Sequence, residues 1–331
     1  MKIKESSNSR LAVTKLANPK PPLLFNPRRR GLNKESARGL YDDVTEYLLD
    51  PVICAFRGNQ RQLLLIGFHR RMASSVPALT ASLSKVAERL EKMLEGASED
   101  ETETAAALLD DLEEEERDID DDAVSEESRA PSPEMITAEL ERVREFVARA
   151  TSLPSDAKAH ALVRAVRTVL KQGEAGEGSG KVVIFTESIT TQNYLREVLC
   201  ESGLLTDQDV TLFRGTNDGA RAREAVERWR EEELPNLPKT AHPSADIAVR
   251  LALVHEFRTR SKVFISTEAG AKGLNLQFAG TLINYDLPWN PQRIEQRIGR
   301  IHRYGQTKDV LVINFAARGD EAQKLTLEIL S

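Results

Sequence analysis

The stretch KVFISTEAGAKGLNLQFAGTLINYDLPWNP, residues 262–291, decides the fold because it joins a pair of short apolar runs through a glycine-containing connection. KVFIST (262–267) and TLINYD (281–286) have the length and β-branched content of buried strands. Similar runs occur elsewhere, at KVVIF (181–185), VTLF (210–213) and DVLVINF (309–315). Helical patterns lie between these runs, at about 190–202, 219–231, 244–258 and 291–303.

This alternation of strands and helices predicts an α/β fold, with a parallel sheet covered by helices. Ligands of such sheets bind beyond the carboxyl ends of the strands. We therefore expect a functional site in the loops that follow Phe185, Thr267 and Asp286.

The sequence upstream of the sheet has a different texture, with apolar residues at helical spacing. We predict three segments: a basic linker at 1–33, a helical region at 34–155 and the α/β lobe at 156–331. Within the helical region, an acidic insert at about 95–130 is expected to be disordered, because its like charges repel one another in any compact form.

Composition leaves room for a nucleic-acid partner despite a net charge of −6, because acidic residues gather at 95–128 and basic ones elsewhere. A locally basic face binds phosphates whatever the total charge. Cys54 and Cys200 lie far apart without further ligands at metal-binding spacing, which argues against a disulfide framework or a zinc site. No apolar run is long enough to span a bilayer, so we expect a cytoplasmic protein with no membrane partner.

AGEGSGKVVIF (175–185) superficially resembles a phosphate loop, but the required pattern is broken. Ala175 stands at the first glycine position, and Val182 replaces the hydroxyl that would hold magnesium. The segment also precedes a strand, whereas a phosphate loop follows one. The sequence therefore predicts that this chain alone hydrolyses no ATP.

The helix predicted in WNPQRIEQRIGRIHRYGQ (289–306) carries the strongest functional signal. Asn290 is a suitable N-cap and Pro291 suits the first turn. At about 100° per residue, the isoleucines share one stripe and the arginines a neighbouring one. The stripes consist of Ile294, Ile298 and Ile301, and of Arg293, Arg297 and Arg300. The basic stripe is either a solvated face or a rigid set of guanidinium groups for a polyphosphate.

QRIGRIHR (296–303) matches the Gln-x-x-Gly-Arg-x-x-Arg pattern known as motif VI of superfamily-two helicases. EQRIGRIHRYGQ resembles the Swi/Snf-related ATPases, particularly the bacterial branch that includes the RNA-polymerase-recycling ATPase. The resemblance implies a RecA-like lobe in which Arg300 and Arg303 act as arginine fingers on ATP held by another lobe. Gln296 would lie at the same inter-lobe cleft.

STEAGAKGLNLQ (266–277) begins at the end of a predicted strand, where hydroxyls and exposed backbone N–H groups suit phosphate oxygens. An ordinary strand-to-helix turn has the same residue types. The segment resembles helicase motif V, which implies that Ser266 and Thr267 contact the nucleic-acid backbone. Gly273 and Asn275 would lie near the nucleotide, with Asn275 as the sugar contact.

Lys272 departs from the acidic residue that we expect at this position in the bacterial branch. The lysine would add a contact to the nucleic-acid backbone or alter coupling to the nucleotide. Asp286 and Trp289, in NYDLPWNP (284–291), are expected to be structural rather than catalytic.

KVVIFTES (181–188) resembles motif IV, which implies that Thr186 and Ser188 face the nucleic acid. LFRGTNDGARAREAVERW (212–229) resembles the next segment of the family, in which Arg214 and Gly215 approach the nucleic acid. The helical region also resembles the branch at 40–48 and 69–90. There, Arg70 and Arg71 are either a solvated pair or a nucleic-acid contact.

The resulting hypothesis is the second motor lobe of an ATP-dependent, helicase-like ATPase of Swi/Snf type that translocates on double-stranded DNA. ATP and Mg²⁺ would be bound mainly by an amino-terminal ATP-binding lobe, acting in cis or in trans. The expected partners are double-stranded DNA, that lobe and a protein complex on which the motor acts, with the protein associated with the nucleoid. The alternative is a truncated or split non-catalytic module that binds nucleic acid or docks on a separate ATP-binding lobe.

Overall fold

A computed structural model describes residues 12–13, 31–50, 52–56, 60–96, 131–153, 157–238, 242–268, 273–288, 290–302 and 309–315. At 12–13, 31–38 and 60–66 it describes the backbone alone. The chain divides into two compact units, one of Met1–Leu24 with Ala157–Ser331 and the other of Phe25–Asp156. Most of the predicted basic linker, and nearly all of the predicted acidic insert, lie outside the described residues.

The unit Phe25–Asp156 is helical. Its described helices are α1 (Gly31–Leu49), α2 (Gln60–Ser74), α3 (Val76–Leu94) and α4 (Pro133–Ser152). Apolar residues of all of them form one core that includes Leu40, Phe68, Leu83 and Val143. Every helix in the described ranges is too short or too polar to cross a membrane.

A buried carboxylate fixes the connection between α1 and α2. Glu139 accepts hydrogen bonds from the Tyr47 hydroxyl at 2.8 Å, from the Ala55 N–H at 3.1 Å and from the Cys54 N–H. Burial and the Glu139 charge raise the pKa of Tyr47 well above its ordinary value, so Tyr47 remains a donor. The helical unit thus contains a satisfied polar centre rather than an apolar core alone.

Arg71 is 7% exposed, so the solvated-pair alternative is wrong for this residue. Arg70 is half-buried. Ser74 and Ser75 of the same segment are also buried, and the Ser75 hydroxyl caps α3 by accepting from the Ala78 N–H at 3.2 Å. The polar residues of this segment therefore face the interior of the helical unit. Residue type alone did not indicate this, because helix packing decides exposure.

The α/β unit is built on a sheet whose strand pairs are all parallel. Its strands are β1 (Ala12–Val13), β2 (Val182–Thr186), β3 (Val210–Phe213), β4 (Val263–Thr267), β5 (Thr281–Asn284) and β6 (Leu311–Asn314). They lie in the order β1–β6–β5–β2–β4–β3. Its helices are α5 (Ala157–Glu174), α6 (Ile189–Glu201), α7 (Ala220–Glu232), α8 (Ala245–Thr259) and α9 (Pro291–Ile301). The predicted α/β fold is confirmed.

Helices cover both faces of this sheet, which explains the uninterrupted apolar runs of its strands. Val183, Phe185 and Phe264 belong to a core that includes residues of α7, α8 and α9. The alternate residues Val182 and Ile184 belong to a second core, with residues of α5 and α6. Alternation along each strand therefore supplies both cores at once.

The glycine-rich loop between α5 and β2 lies at the amino ends of the strands. The Ser179 hydroxyl accepts from the N–H of Gly280, directly before β5, at 2.7 Å. Gly173 and Gly180 approach so closely that a Cβ on Gly173 would lie 2.3 Å from the Gly180 Cα. The loop that superficially resembles a phosphate loop thus connects the amino ends of strands. It lies at the edge of the sheet opposite the one where ligands of such sheets bind.

Candidate nucleotide and nucleic-acid interface

The predicted functional loops meet at the carboxyl edge of the sheet. Thr186, at the end of β2, lies in register with Thr267, at the end of β4. On the other side of β2, Phe185 is in register with Asn284 of β5. The loop after β5 returns to β2, since the Tyr285 N–H donates to the Phe185 carbonyl at 2.9 Å. One edge therefore gathers all of the strand ends that the sequence singled out.

Arg297 of α9 is 1% exposed and joins these strand ends. Its Nε donates to the Glu268 carboxylate at 2.6 Å, directly after β4. Its Nη1 donates to the Asn284 side chain at 3.0 Å and to the Asp286 carbonyl at 2.8 Å. The guanidinium also lies 5.0 Å from the centre of the Phe185 ring. Arg297 thereby fixes the position of α9 against three strands.

Asp286 is a second buried link at the same edge. Its carboxylate accepts from the Thr186 hydroxyl at 2.6 Å, from the Glu187 N–H at 3.0 Å and from the Lys158 ammonium at 2.8 Å. A carboxylate held by three donors supports a structural role. Trp289, which was expected to be structural as well, lies outside the described residues.

The strand-end hydroxyls that were predicted to contact nucleic acid point inward. Thr186 and Ser266 are fully buried, and their hydroxyls donate to Asp286 and to the Thr267 carbonyl respectively, the latter at 2.9 Å. Ser188 is 3% exposed and caps α6 by accepting from the Thr191 N–H. Thr267 is 6% exposed. Their contacts with nucleic acid stay predictions, and these side chains also hold the edge together.

The residues predicted to be near the nucleotide are, by contrast, accessible. Gln296 is exposed on α9, and Arg300 is half-buried one turn later. Within the described residues, no hydrogen bond or ion pair engages the Arg300 guanidinium. Gly273 and Asn275 are exposed, and the Leu276 N–H donates to the Arg300 carbonyl at 2.9 Å. The connection after β4 and the end of α9 are therefore adjacent.

The chemistry of these groups would suit one side of a nucleotide. Arg300 offers an un-neutralised guanidinium for phosphate oxygens, and Gln296 and Asn275 offer amides suited to a sugar or phosphate. Gly273 has a positive φ of 82°, and a Cβ there would meet nothing within 4 Å. Lys272 and Arg303 lie outside the described residues.

Arg214 follows β3 and is held by two amide side chains. Its Nε donates to the Gln192 Oε1 at 2.5 Å, and its Nη2 donates to the Asn193 Oδ1. Burial, together with the nearby Arg196, lowers the pKa of Arg214 from its usual value. The neighbouring Gly215 is exposed.

The sequence pattern did not single out Glu268 or Gln192, and it assigned Arg297 to the wrong face of its helix. Arg297 was placed on the basic stripe, but it is buried in line with Ile294 and Ile301. Its spacing of three residues from one isoleucine and four from the other was the available signal. Gln192 is fully buried, and no local pattern distinguishes it from a surface glutamine.

Residues 158–305 match the family model of the helicase conserved C-terminal domain, which is a little under half of the chain. This part of the chain is therefore a helicase C-terminal domain, folded as a RecA-like lobe. It contains all of the described site residues, from Thr186 to Arg300.

Individual relatives include an ATP-dependent helicase and a chromatin-remodeling ATPase, in keeping with the predicted resemblance to Swi/Snf-related superfamily-two ATPases. The uncharacterised ATP-dependent helicase YqhH of Bacillus subtilis is 40% identical over 138 residues, which make up 42% of this chain and 19% of that protein. The chromatin-remodeling ATPase INO80 of Gibberella zeae is 33% identical over 142 residues, 40% of this chain and 8% of that protein. The matched stretch spans less than a fifth of the length of each relative.

Solved structures that match this chain include the C-terminal part of the Fun30 ATPase domain, which is 15% identical with a TM-score of 0.39. That match covers 90% of this chain and 86% of the Fun30 chain. The Pyrococcus furiosus Hef helicase domain is 13% identical with a TM-score of 0.39, covering 90% of this chain and 53% of that one.

Proposed function

We propose that this chain supplies the second motor lobe of an ATP-dependent translocase that moves on double-stranded DNA. ATP and Mg²⁺ are bound mainly by an amino-terminal ATP-binding lobe, and this chain adds arginine fingers and part of the nucleic-acid track. The observation that carries the proposal is that the polar side chains of α9 have different environments. Arg297 is buried and ion-paired, whereas Gln296 and Arg300 are accessible beside the connection that follows β4.

Arg300 has the properties required of an arginine finger. Its guanidinium has no carboxylate partner within the described residues, so its charge is available to a phosphate. Its helix is held in place by Arg297, which limits the reorganisation needed when phosphate charge develops. Arg303, three residues further along the sequence, is assigned the same role by the motif alone.

The nucleic-acid track is assigned to the same edge and to Arg214. The proposed track also includes residues at the strand ends and in the loops that follow them, namely Thr267, Ser266, Thr186, Ser188, Gly215 and Lys272. Double-stranded DNA is the proposed substrate because relatives at 33% identity and above include a chromatin-remodeling ATPase. A protein complex on DNA is accordingly the proposed target, and the amino-terminal lobe the proposed partner.

Substituting Arg300 tests the finger assignment. In the enzyme that contains the matching ATP-binding lobe, in cis or in trans, Arg300→Ala should lower duplex-stimulated ATP turnover by roughly 10³- to 10⁵-fold. Duplex affinity should stay nearly unchanged, because the finger acts on ATP. Arg167→Ala is the matched control, since Arg167 is an exposed arginine on α5. Turnover and duplex affinity are measured on the same preparations.

Retention of ordinary turnover by Arg300→Ala would remove Arg300 from the catalytic machinery. Equal losses of turnover and of duplex affinity would instead assign Arg300 to the nucleic-acid track. Arg303→Ala, assayed in parallel, is expected to behave like Arg300→Ala.

A further inference from the structure

Gln192 uses all of its polar atoms inside the lobe. It is fully buried near the start of α6, and its Nε2 donates to the Phe213 carbonyl at 2.9 Å and to the Ile265 carbonyl at 2.7 Å. Its Oε1 accepts from the Arg214 Nε at 2.5 Å. One side chain thus ties the carboxyl-terminal parts of β3 and β4 to the arginine that follows β3.

The two amides occupy one particular edge of the Arg214 guanidinium. Gln192 accepts from Nε and Asn193 accepts from Nη2, and these nitrogens form the side edge of the planar group. Within the described residues, Nη1 donates no hydrogen bond. The outer edge formed by Nη1 and Nη2 therefore remains available for a bidentate acceptor such as a phosphate.

Both hydrogen-bond partners of the Arg214 guanidinium are neutral. The charge of the nearby Asp218 acts to raise the pKa of Arg214, but within the described residues Asp218 forms no salt bridge with it. Nearby Arg196 and Arg221 both pair with the Asp207 carboxylate, Arg196 at 3.8 Å. No salt bridge engages Arg214 within the described ranges. Its backbone is also fixed, since Asn217 accepts from the Arg214 N–H at 2.9 Å and donates to the Arg214 carbonyl at 2.7 Å. The result is an oriented cation on a rigid support.

We propose that Gln192 and Asn193 are positioning residues that aim the outer edge of Arg214 at a phosphate of the nucleic-acid backbone. This inference rests on the proposed nucleic-acid track and names the ligand of one of its members. Amide partners serve this role because they orient the guanidinium and leave its charge intact. A carboxylate would orient the guanidinium but would also neutralise its charge. Arg214 is then a sequence-independent contact that sets affinity and salt dependence.

Duplex binding by the 331-residue chain tests the proposal, with a short fluorescein-labelled DNA duplex and fluorescence anisotropy between roughly 50 and 200 mM salt. Arg214→Ala should lower affinity by on the order of tenfold and reduce the salt slope by about one. Asn193→Ala should weaken binding by roughly three- to tenfold, through lost orientation. Asn193→Asp keeps the acceptor but adds a charge, so it should reproduce the smaller slope of Arg214→Ala.

The coupling between the two residues separates positioning from a structural role. In the Arg214→Ala background, Asn193→Ala should have no further effect on affinity, because the side chain it orients is gone. Gln192→Met should act in the same direction, but it also removes the donors to Phe213 and Ile265 and should lower stability. The Asn193 variants therefore carry the test, and Arg167→Ala serves as the control for the loss of an exposed arginine.

Two outcomes overturn different parts of the account. If the wild-type chain binds no duplex at low salt, the proposed track fails and this inference fails with it. If the wild type binds with a normal salt slope while Arg214→Ala binds equally well, or if the Asn193 and Arg214 effects simply add, the positioning role is wrong and the track stands.

Discussion

At the scale of single residues, burial separates arginines that the sequence presents as equivalent. Arg297 is enclosed and engages Glu268, Asn284 and the Asp286 carbonyl. Arg300, three residues later, is half-buried with no carboxylate partner within the described part of the chain. Burying a guanidinium without such partners would be costly, so the contacts of Arg297 indicate a structural role. An accessible guanidinium such as that of Arg300 retains its charge for a ligand.

Arg297→Met should therefore destabilise the lobe rather than act on catalysis alone. The substitution removes the donors to Glu268 and leaves a partly buried carboxylate, which typically costs about 3–5 kcal/mol. The free energy of unfolding of the chain, from urea denaturation, measures this loss. Arg167→Met, on the exposed face of α5, should change stability by no more than about 0.5 kcal/mol. A loss below about 1 kcal/mol for Arg297→Met would be typical of a surface ion pair and would contradict the structural role.

At the scale of secondary-structure elements, sequence signals predicted helix starts and strands correctly where these depend on neighbouring residues. α9 begins as predicted, with the Asn290 side chain accepting from the Gln292 N–H at 2.9 Å and Pro291 in the first turn. The strand runs were recognisable because both faces of the sheet are covered. The glycine-rich loop before β2 could be excluded as a phosphate loop from its order relative to the strand.

Alanine substitutions in this loop and in the last turn of α5, which it contacts, test the structural role of the loop. In Gly173→Ala, the new Cβ would lie 2.3 Å from the Gly180 Cα and 2.7 Å from its nitrogen, so stability should fall by about 1–3 kcal/mol. Gly178→Ala is the control, because a Cβ there meets nothing within 4 Å, and its stability should change little. Thermal unfolding gives the comparison. A neutral Gly173→Ala, or impaired nucleotide binding by a stable Gly178→Ala, would contradict a purely structural loop.

The contacts that hold the candidate site together could not be predicted from the sequence. Thr186 bonds to Asp286 across a separation of 100 residues, and Arg297 bonds to Glu268 across 29. Such pairs depend on which strand ends become neighbours, and the strand order cannot be read from local spacing. The sequence therefore located the edge of the sheet and its motifs. The fold was needed to decide which polar side chains are buried in the core and which are accessible to a ligand.

At the scale of the whole molecule, the proposed function involves an ATP-binding lobe in addition to this chain. The lobe is a helicase C-terminal domain, yet the sequence has no intact phosphate loop. Its accessible cationic and amide groups are proposed to contact a nucleotide from one side. The proposal is therefore that chemistry arises when this lobe and an ATP-binding lobe act on the same nucleotide.

ATP turnover by the pure chain, by the matching ATP-binding lobe and by their mixture, each with and without duplex DNA, tests this claim most directly. We expect background turnover by the chain alone and duplex-stimulated turnover only when both lobes are present. Sustained turnover by the pure chain, or no gain on mixing although both lobes are folded and associated, would contradict it.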